Sequence, residues 1–249
     1  MARLSVNLNK IALLRNARRT GVPDVLRFGR LAHAAGAHGL TVHPRPDERH
    51  IRRSDVPALA EMMRPWRPAF EFNIEGYPDA DFMALVERIR PEQCTLVPDA
   101  PDTFTSDAGW GFGSAQAAVL RDAVARLKRA GARAVVFVDP DPAAVEGAAA
   151  VGAEGIEIYT GGYGAAFAQG DPGPLLALCA ETGRRAAALG LVVNVGHDLN
   201  LDNLPPLVEA LPNLAEASIG HELTADALEM GWAAAIAAYR GALAPAGRP

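Results

Sequence analysis

The chain has 249 residues, of which 49% are hydrophobic and 21% charged, and a net charge of -5. Its length suits one complete βα barrel of roughly 250 residues, and its composition excludes a disordered chain, which would bury too little apolar surface to offset the entropy of ordering. The acidic balance excludes a nucleic-acid binder, which needs basic surface to displace counterions, and no apolar run approaches the roughly 20 residues that span a bilayer.

Taken in chain order, eight short apolar runs read as strands: Leu4 to Leu8, Leu40 to His43, Ala69 to Ile74, Cys94 to Val97, Ala134 to Asp139, Ile156 to Tyr159, Leu191 to His197 and Glu216 to Ile219. Several are preceded by an Ala-rich amphipathic stretch closed by a glycine, as in Ala34-Ala35-Gly36 and Arg129-Ala130-Gly131. Glycine enters the left-handed conformation that ends a helix at little cost, so this is the αβ half of a βα unit. Eight such units predict an α/β fold, a closed (β/α)₈ TIM barrel in a single domain over residues 1–243, with a frayed tail over 244–249. A doubly wound dinucleotide-binding sheet is disfavoured because no Gly-x-Gly-x-x-Gly turn follows the first strand.

Two connections are longer than a barrel needs. The first, Pro98 to Gly113, carries Trp110 and Phe112 among glycines and is expected to act as a lid; the second, Tyr159 to Pro174, is expected either to line the rim or to be a flexible surface connection. A single apolar helix is expected from Ala225 to Tyr239. Cys94 and Cys179 sit in apolar runs and are expected to be buried free thiols. The N-terminus lacks a signal peptide's apolar core, so the expected compartment is the cytoplasm.

Strand ends in a βα barrel converge on one mouth. Here they carry Asn7, Asn9 and Lys10 after the first strand, His43, Arg45 and His50 after the second, Glu75 in the third, Glu157 in the sixth, His197 in the seventh, and Gly220-His221 after the eighth. Of the six histidines, only His33 and His38 lie elsewhere. Metal ligation fits poorly, because Arg45 beside His43 opposes a dication. Acid–base catalysis fits better, since imidazole titrates near neutrality and burial raises a carboxylate toward it. Gly220-His221 opening a helix, with Gly196 near strand seven, suits a phosphate, and Arg15, Arg18 and Arg45 add guanidinium forks. The predicted partners are therefore small phosphorylated molecules.

The blocks Val6-Asn7-Leu8-Asn9-Lys10, Thr41-Val42-His43-Pro44-Arg45-Pro46-Asp47-Glu48-Arg49-His50-Ile51, Phe72-Asn73-Ile74-Glu75-Gly76, Ile156-Glu157-Ile158-Tyr159-Thr160-Gly161, Asn194-Val195-Gly196-His197-Asp198 and Ser218-Ile219-Gly220-His221 together resemble the pyridoxine 5′-phosphate synthase family. The resemblance implies a barrel with added helices, oligomers up to an octamer, and no metal or other cofactor. It implies condensation of 1-deoxy-D-xylulose 5-phosphate with 3-amino-2-oxopropyl phosphate, releasing phosphate and water. It implies His43 and Glu75 as proton acceptors, His197 as proton donor, and Glu157 as a stabiliser of charged intermediates. Asn7, Arg18, Asp198, Gly220 and His221 would hold the aminoketone phosphate, and Asn9, Lys10, Arg45, His50 and Thr105 the deoxyxylulose phosphate. Asn9-Lys10 departs from the family's common Asp-His, so Lys10 either replaces the imidazole in binding a phosphate or hydroxyl, or forms an imine with a ketone. The residues alone leave two alternatives, an isomerase or aldolase-like barrel acting on one phosphosugar, and a non-catalytic phosphometabolite-binding barrel.

Overall fold

The computed structural model describes residues 1–99 and 106–244. Parallel strands β1 (Arg3–Asn7), β2 (Gly39–Val42), β3 (Glu71–Gly76), β4 (Gln93–Leu96), β5 (Arg133–Val138), β6 (Gly155–Tyr159), β7 (Val192–Gly196) and β8 (Leu214–Ile219) pair in sequence order, and β8 returns to β1 to close the barrel. Among the described residues the helices are α1 (Asn9–Asn16), α2 (Val25–Ala34), α3 (Asp55–Met63), α4 (Ala80–Ile89), α5 (Ser114–Ala130), α6 (Pro142–Ala150), α7 (Gly161–Ala168), α8 (Gly173–Ala188), α9 (Leu204–Ala210), α10 (His221–Met230) and α11 (Trp232–Ala242). Asp24, Asp79 and Asp141 cap α2, α4 and α6 by accepting from Arg27, Phe82 and Ala143 backbone N–H groups, each contributing about 1 kcal/mol.

The strands alternate in a way that sorts polar from apolar. Leu4, Val6, Leu40, Val42, Phe72, Ile74, Leu96, Val136, Ile156, Ile158, Val193 and Val195 belong to one continuous buried cluster with the helices. The intervening residues face the barrel axis and are largely polar. Ser5 and Thr41 hydroxyls lie 2.6 Å apart, Asn73 donates to Thr95 at 3.1 Å, and Thr95 donates to Glu157 at 3.4 Å. Gln93 donates to Glu216 and accepts from Asn194, both at 3.1 Å. The hydrophobic core is thus the shell between strands and helices, and the barrel's interior is a hydrogen-bonded polar column.

Two sequence expectations change. The stretch Tyr159 to Pro174 is no flexible connection: it forms α7, because Tyr163 is 1% exposed and its hydroxyl donates to the Asn203 carbonyl at 2.7 Å. The expected helix Ala225 to Tyr239 is two helices, broken where Gly231 adopts φ 85°. Of the expected lid, residues 100–105, including Thr105, lie outside the described residues. The two aromatics beyond them anchor the segment: the Trp110 indole N–H donates to the Leu96 carbonyl at 2.9 Å and its ring stacks on Tyr77, while the Phe112 ring fills the space a Cβ on Gly147 would need. Cys94 and Cys179 are free and buried.

Candidate active site

At the carboxyl end of the barrel, the β1 to β4 side is tied together by short polar contacts. The Asn7 side-chain oxygen accepts from the Asn9 N–H, and the Asn9 side-chain oxygen accepts from the His43 N–H, both at 2.9 Å. The Asn7 amide donates weakly to Glu75 at 3.5 Å. Arg45, two residues past His43, forms a buried ion pair with Asp99 just beyond β4, and the Ser106 hydroxyl donates to the same carboxylate oxygen at 2.6 Å. The His50 ring sits 6.0 Å from that of His43, and its Nδ1 accepts from the Ile51 N–H.

The β6 to β8 side is built on the backbone. His197 and Asp198 both adopt the left-handed region, at φ 81° and 55°. That conformation is uncommon for residues with a Cβ. It is held by the Thr160 hydroxyl, within 2.6 Å of the Gly196 and His197 carbonyls, and by the Asn203 amide, which donates to the Asp198 carbonyl at 2.9 Å. Phe137 and Tyr159 pack edge-on to the His197 ring, each with centroids 5.5 Å away. Gly196 leaves the space that Glu157 occupies, since a Cβ there would run into a Glu157 carboxylate oxygen. Gly220 lies against Asn7, where a Cβ would approach the Asn7 side chain to 3.0 Å, and His221 opens α10, exposed.

Burial dominates the protonation of the site. It drives His43 well below the usual imidazole range, with the Arg45 guanidinium adding to the effect. It lowers His50 to about 4, assisted by Arg45 and Lys10, and lowers His197 against the opposing pull of Asp198 and Asp99. It raises Glu75 well above the carboxylate range, with Glu157 and Asp99 adding repulsion, and raises Glu157 to about 8, with Glu216 adding to it. The site therefore holds neutral imidazoles beside carboxyls that favour their protons at neutral pH, and such strongly shifted titratable groups gathered at one strand-end mouth mark a candidate for acid–base chemistry.

His43, Glu75, Glu157 and His197 thus share one mouth, with Asn7, Asn9, Lys10, Arg45, His50, Asp198, Gly220 and His221 around it. Arg18 is not drawn in: it is exposed just past α1, and among the described residues no side-chain contact ties it to the cluster. Arg15 pairs with Asp55 and donates to the His50 carbonyl. Asp99 and Ser106 were not legible as site residues, although Asp99's position directly past a strand end is the same signal that marked the others. A small cleft opens beside His43, Arg45 and Asp99 and is bounded by Tyr77 and Phe82; Glu75, Glu157 and His197 do not line it. Among the described residues no group of three or more His, Cys, Asp or Glu side chains could hold a metal ion.

Residues 4–245 match the family model described as pyridoxal phosphate biosynthesis protein PdxJ. The chain is 55% identical to the pyridoxine 5′-phosphate synthase of Allorhizobium ampelinum over 96% of both chains, and 54% identical to that of Agrobacterium fabrum over 94% of both. Among solved structures it resembles the YdjI aldolase of Escherichia coli, with a TM-score of 0.60 at 10% identity over 97% of this chain and 88% of that one. A likeness that distant speaks for the barrel alone.

Proposed function

The chain belongs to the PdxJ family of pyridoxal phosphate biosynthesis proteins and carries its activity, pyridoxine 5′-phosphate synthesis; we propose that His43, Glu75, Glu157 and His197 perform the chemistry between two phosphate-binding regions. The substrates are 1-deoxy-D-xylulose 5-phosphate and 3-amino-2-oxopropyl phosphate. Joining the amine to a ketone, expelling water and phosphate, and aromatising the ring require protons to leave and reach several atoms in turn, so one acid and one base would not suffice.

The convergence of two buried imidazoles and two buried carboxyls on one mouth carries this reading. His43, held neutral by burial, is suited to accept a proton. Glu75 does so once deprotonated, and the Arg45 cation favours that form. His197, whose proton affinity burial lowers, donates after substrate phosphates have raised it. Glu157, free to gain or lose its proton near pH 8, balances positive charge on nitrogen-containing intermediates. Asn9, Lys10, Arg45, His50 and Thr105 receive the ketose phosphate. Lys10 presents its charge toward both His50 and His197, which supports phosphate or hydroxyl binding for it. Asn7, Arg18, Asp198, Gly220 and His221 receive the aminoketone phosphate; Arg18 must swing inward to do so. We further propose a cytoplasmic homo-oligomer, supported by exposed Leu13, Leu14, Leu228 and Met230 on α1 and α10, which pack against each other.

The test is a direct assay of the purified protein with both substrates, following pyridoxine 5′-phosphate by absorbance and mass. Glu75→Gln is expected to lower kcat by at least about 10³-fold, in the range of a lost general base, while binding of either phosphate survives. Substantial turnover by Glu75→Gln would remove Glu75 from the chemistry.

A further inference from the structure

A buried ion pair gains little net stability, because desolvating two charges costs about as much as their attraction returns. Arg45 and Asp99 nevertheless form one with side chains only 5% and 4% exposed, inside the mouth. A well-packed apolar pair would serve the fold as well, so the geometry of the pair needs another explanation.

The guanidinium is a rigid planar fork, so pinning one of its nitrogens fixes the direction of the whole group. Asp99 accepts from the Arg45 Nη2. The Asp99 carboxylate is itself pinned, because the Ser106 hydroxyl, 4% exposed at the residue level, donates to the same oxygen at 2.6 Å. Ser106 is fixed in turn by the segment that follows it, since the Gly109 N–H donates to Asp139 at 3.0 Å and Trp110 is bonded to the Leu96 carbonyl. The chain of restraint runs from the ends of β4 and β5 through Ser106 and Asp99 to Arg45, and Arg45 in turn donates its backbone N–H to the His43 carbonyl at 3.0 Å.

We propose that Asp99 is a positioning residue for the condensation, holding Arg45 in a preset orientation to receive the ketose phosphate, with Ser106 locking the Asp99 carboxylate. This rests on the assignment of the ketose phosphate to the Arg45 side of the mouth. Asp99 forms no bond to substrate in this role; its charge offsets that of the guanidinium until the phosphate arrives, and its oxygen sets the direction of the fork.

Steady-state kinetics on the full-length protein test this, varying each substrate separately in the wild type and in Asp99→Asn, Ser106→Ala and Ser106→Thr. Asp99→Asn is expected to raise KM for deoxyxylulose phosphate about tenfold, the loss of one charge-assisted contact, with KM for the aminoketone phosphate changed less than about twofold. Ser106→Ala is expected to move the same KM by about threefold, and Ser106→Thr, which keeps the hydroxyl, to restore it. Equal rises in both KM values, or a fall in kcat with both KM values unchanged, would overturn the positioning role. Should Asp99→Asn fail to fold, Ser106→Ala against Ser106→Thr decides alone: no difference between them overturns the proposal. Absence of product from the wild type would instead sink the functional assignment, a result distinct from active wild type with unresponsive variants.

Discussion

The two sides of the mouth orient their reactive groups by different means. On the β1 to β4 side, side chains do the holding: the Asn7 amide reaches Glu75 and its oxygen the Asn9 N–H, the Asn9 side-chain oxygen accepts from the His43 N–H, and Asp99, bonded by Ser106, pairs with the Arg45 guanidinium. On the β6 to β8 side, His197 and Asp198 are held by a backbone in the left-handed region, clamped at its carbonyls by Thr160 and Asn203, with Gly196 leaving room for Glu157. A side-chain network loses function by degrees as partners are deleted. A backbone platform with no spare space at Gly196 is most sensitive to added side-chain atoms there.

Of the effects that separate the two sides, the largest exploits that asymmetry. Gly196→Ala adds one methyl group, yet places it 2.2 Å from the Glu157 carboxylate, within a barrel interior where Glu157 is 2% exposed. Glu157 must swing off its position, and displacement of about 1 Å costs on the order of 10²-fold in kcat. Asn9→Ala, which deletes atoms on the opposite side and frees one N–H at His43, is expected to cost about tenfold. Measured kcat values in the reverse order, from variants that melt like the wild type, would break the comparison.

The fold was legible because four strands are announced by a glycine stop and the rest by short apolar runs with helix-compatible sequence after them. The inner residues were not, because one polar side chain in an apolar run does not reveal its partner: Gln93 meets Glu216 and Asn194 across more than a hundred residues of sequence. The same limit hid Asp99, whose partner Arg45 lies 54 residues earlier. Family blocks located His43, Glu75, Glu157 and His197, but could not show that Arg15 pairs with Asp55, or that His197 and Asp198 share a left-handed backbone. Those are properties of chain geometry, and neither residue type announces it as glycine would. The helix α7 was missed for a related reason, since its glycines argue against a helix and only the docking of Tyr163 favours one.

The polar column joins the two sides, and its titration sharpens the contrast between them. Glu157 and Glu216 have carboxyl pKa values of about 8 and about 7 against an ordinary 4.5, so the folded state holds their protons over a range where the unfolded state has released them. Their contribution to stability is full below pH 4.5 and is lost as pH rises through about 7 and about 8. His50 has the opposite sign: lowered from 6.5 to about 4, it makes the fold gain stability as pH rises across that interval. The two effects offset one another between pH 4.5 and 6.5, and the carboxyls act alone above it. Denaturant melts of the unliganded protein should therefore show stability falling by on the order of 1–2 kcal/mol from pH 6.5 to 8, with the fall reduced in Glu157→Gln. A flat profile would mean that Glu157 is ionised in the fold, and that the β6 side carries a standing negative charge.

The smallest expected effect isolates the backbone platform itself. Asp198 adopts φ 55°, a conformation that costs a residue with a Cβ about 1 kcal/mol and costs glycine almost nothing. Asp198→Gly removes that cost but adds chain entropy to the unfolded state, roughly 0.5 kcal/mol in the other direction. The net expectation is stabilisation by about 0.5 kcal/mol, a rise in Tm of about 1–2 °C for a domain of this size. If the carboxylate's only service were to hold the platform, the gain would reverse into a loss. A higher Tm together with a raised KM for the aminoketone phosphate would show that Asp198 is kept for its ligand at the expense of the fold, whereas on the opposite side of the mouth the bonds that orient Arg45 and His43 also satisfy buried polar groups, so orientation and stability there are lost together.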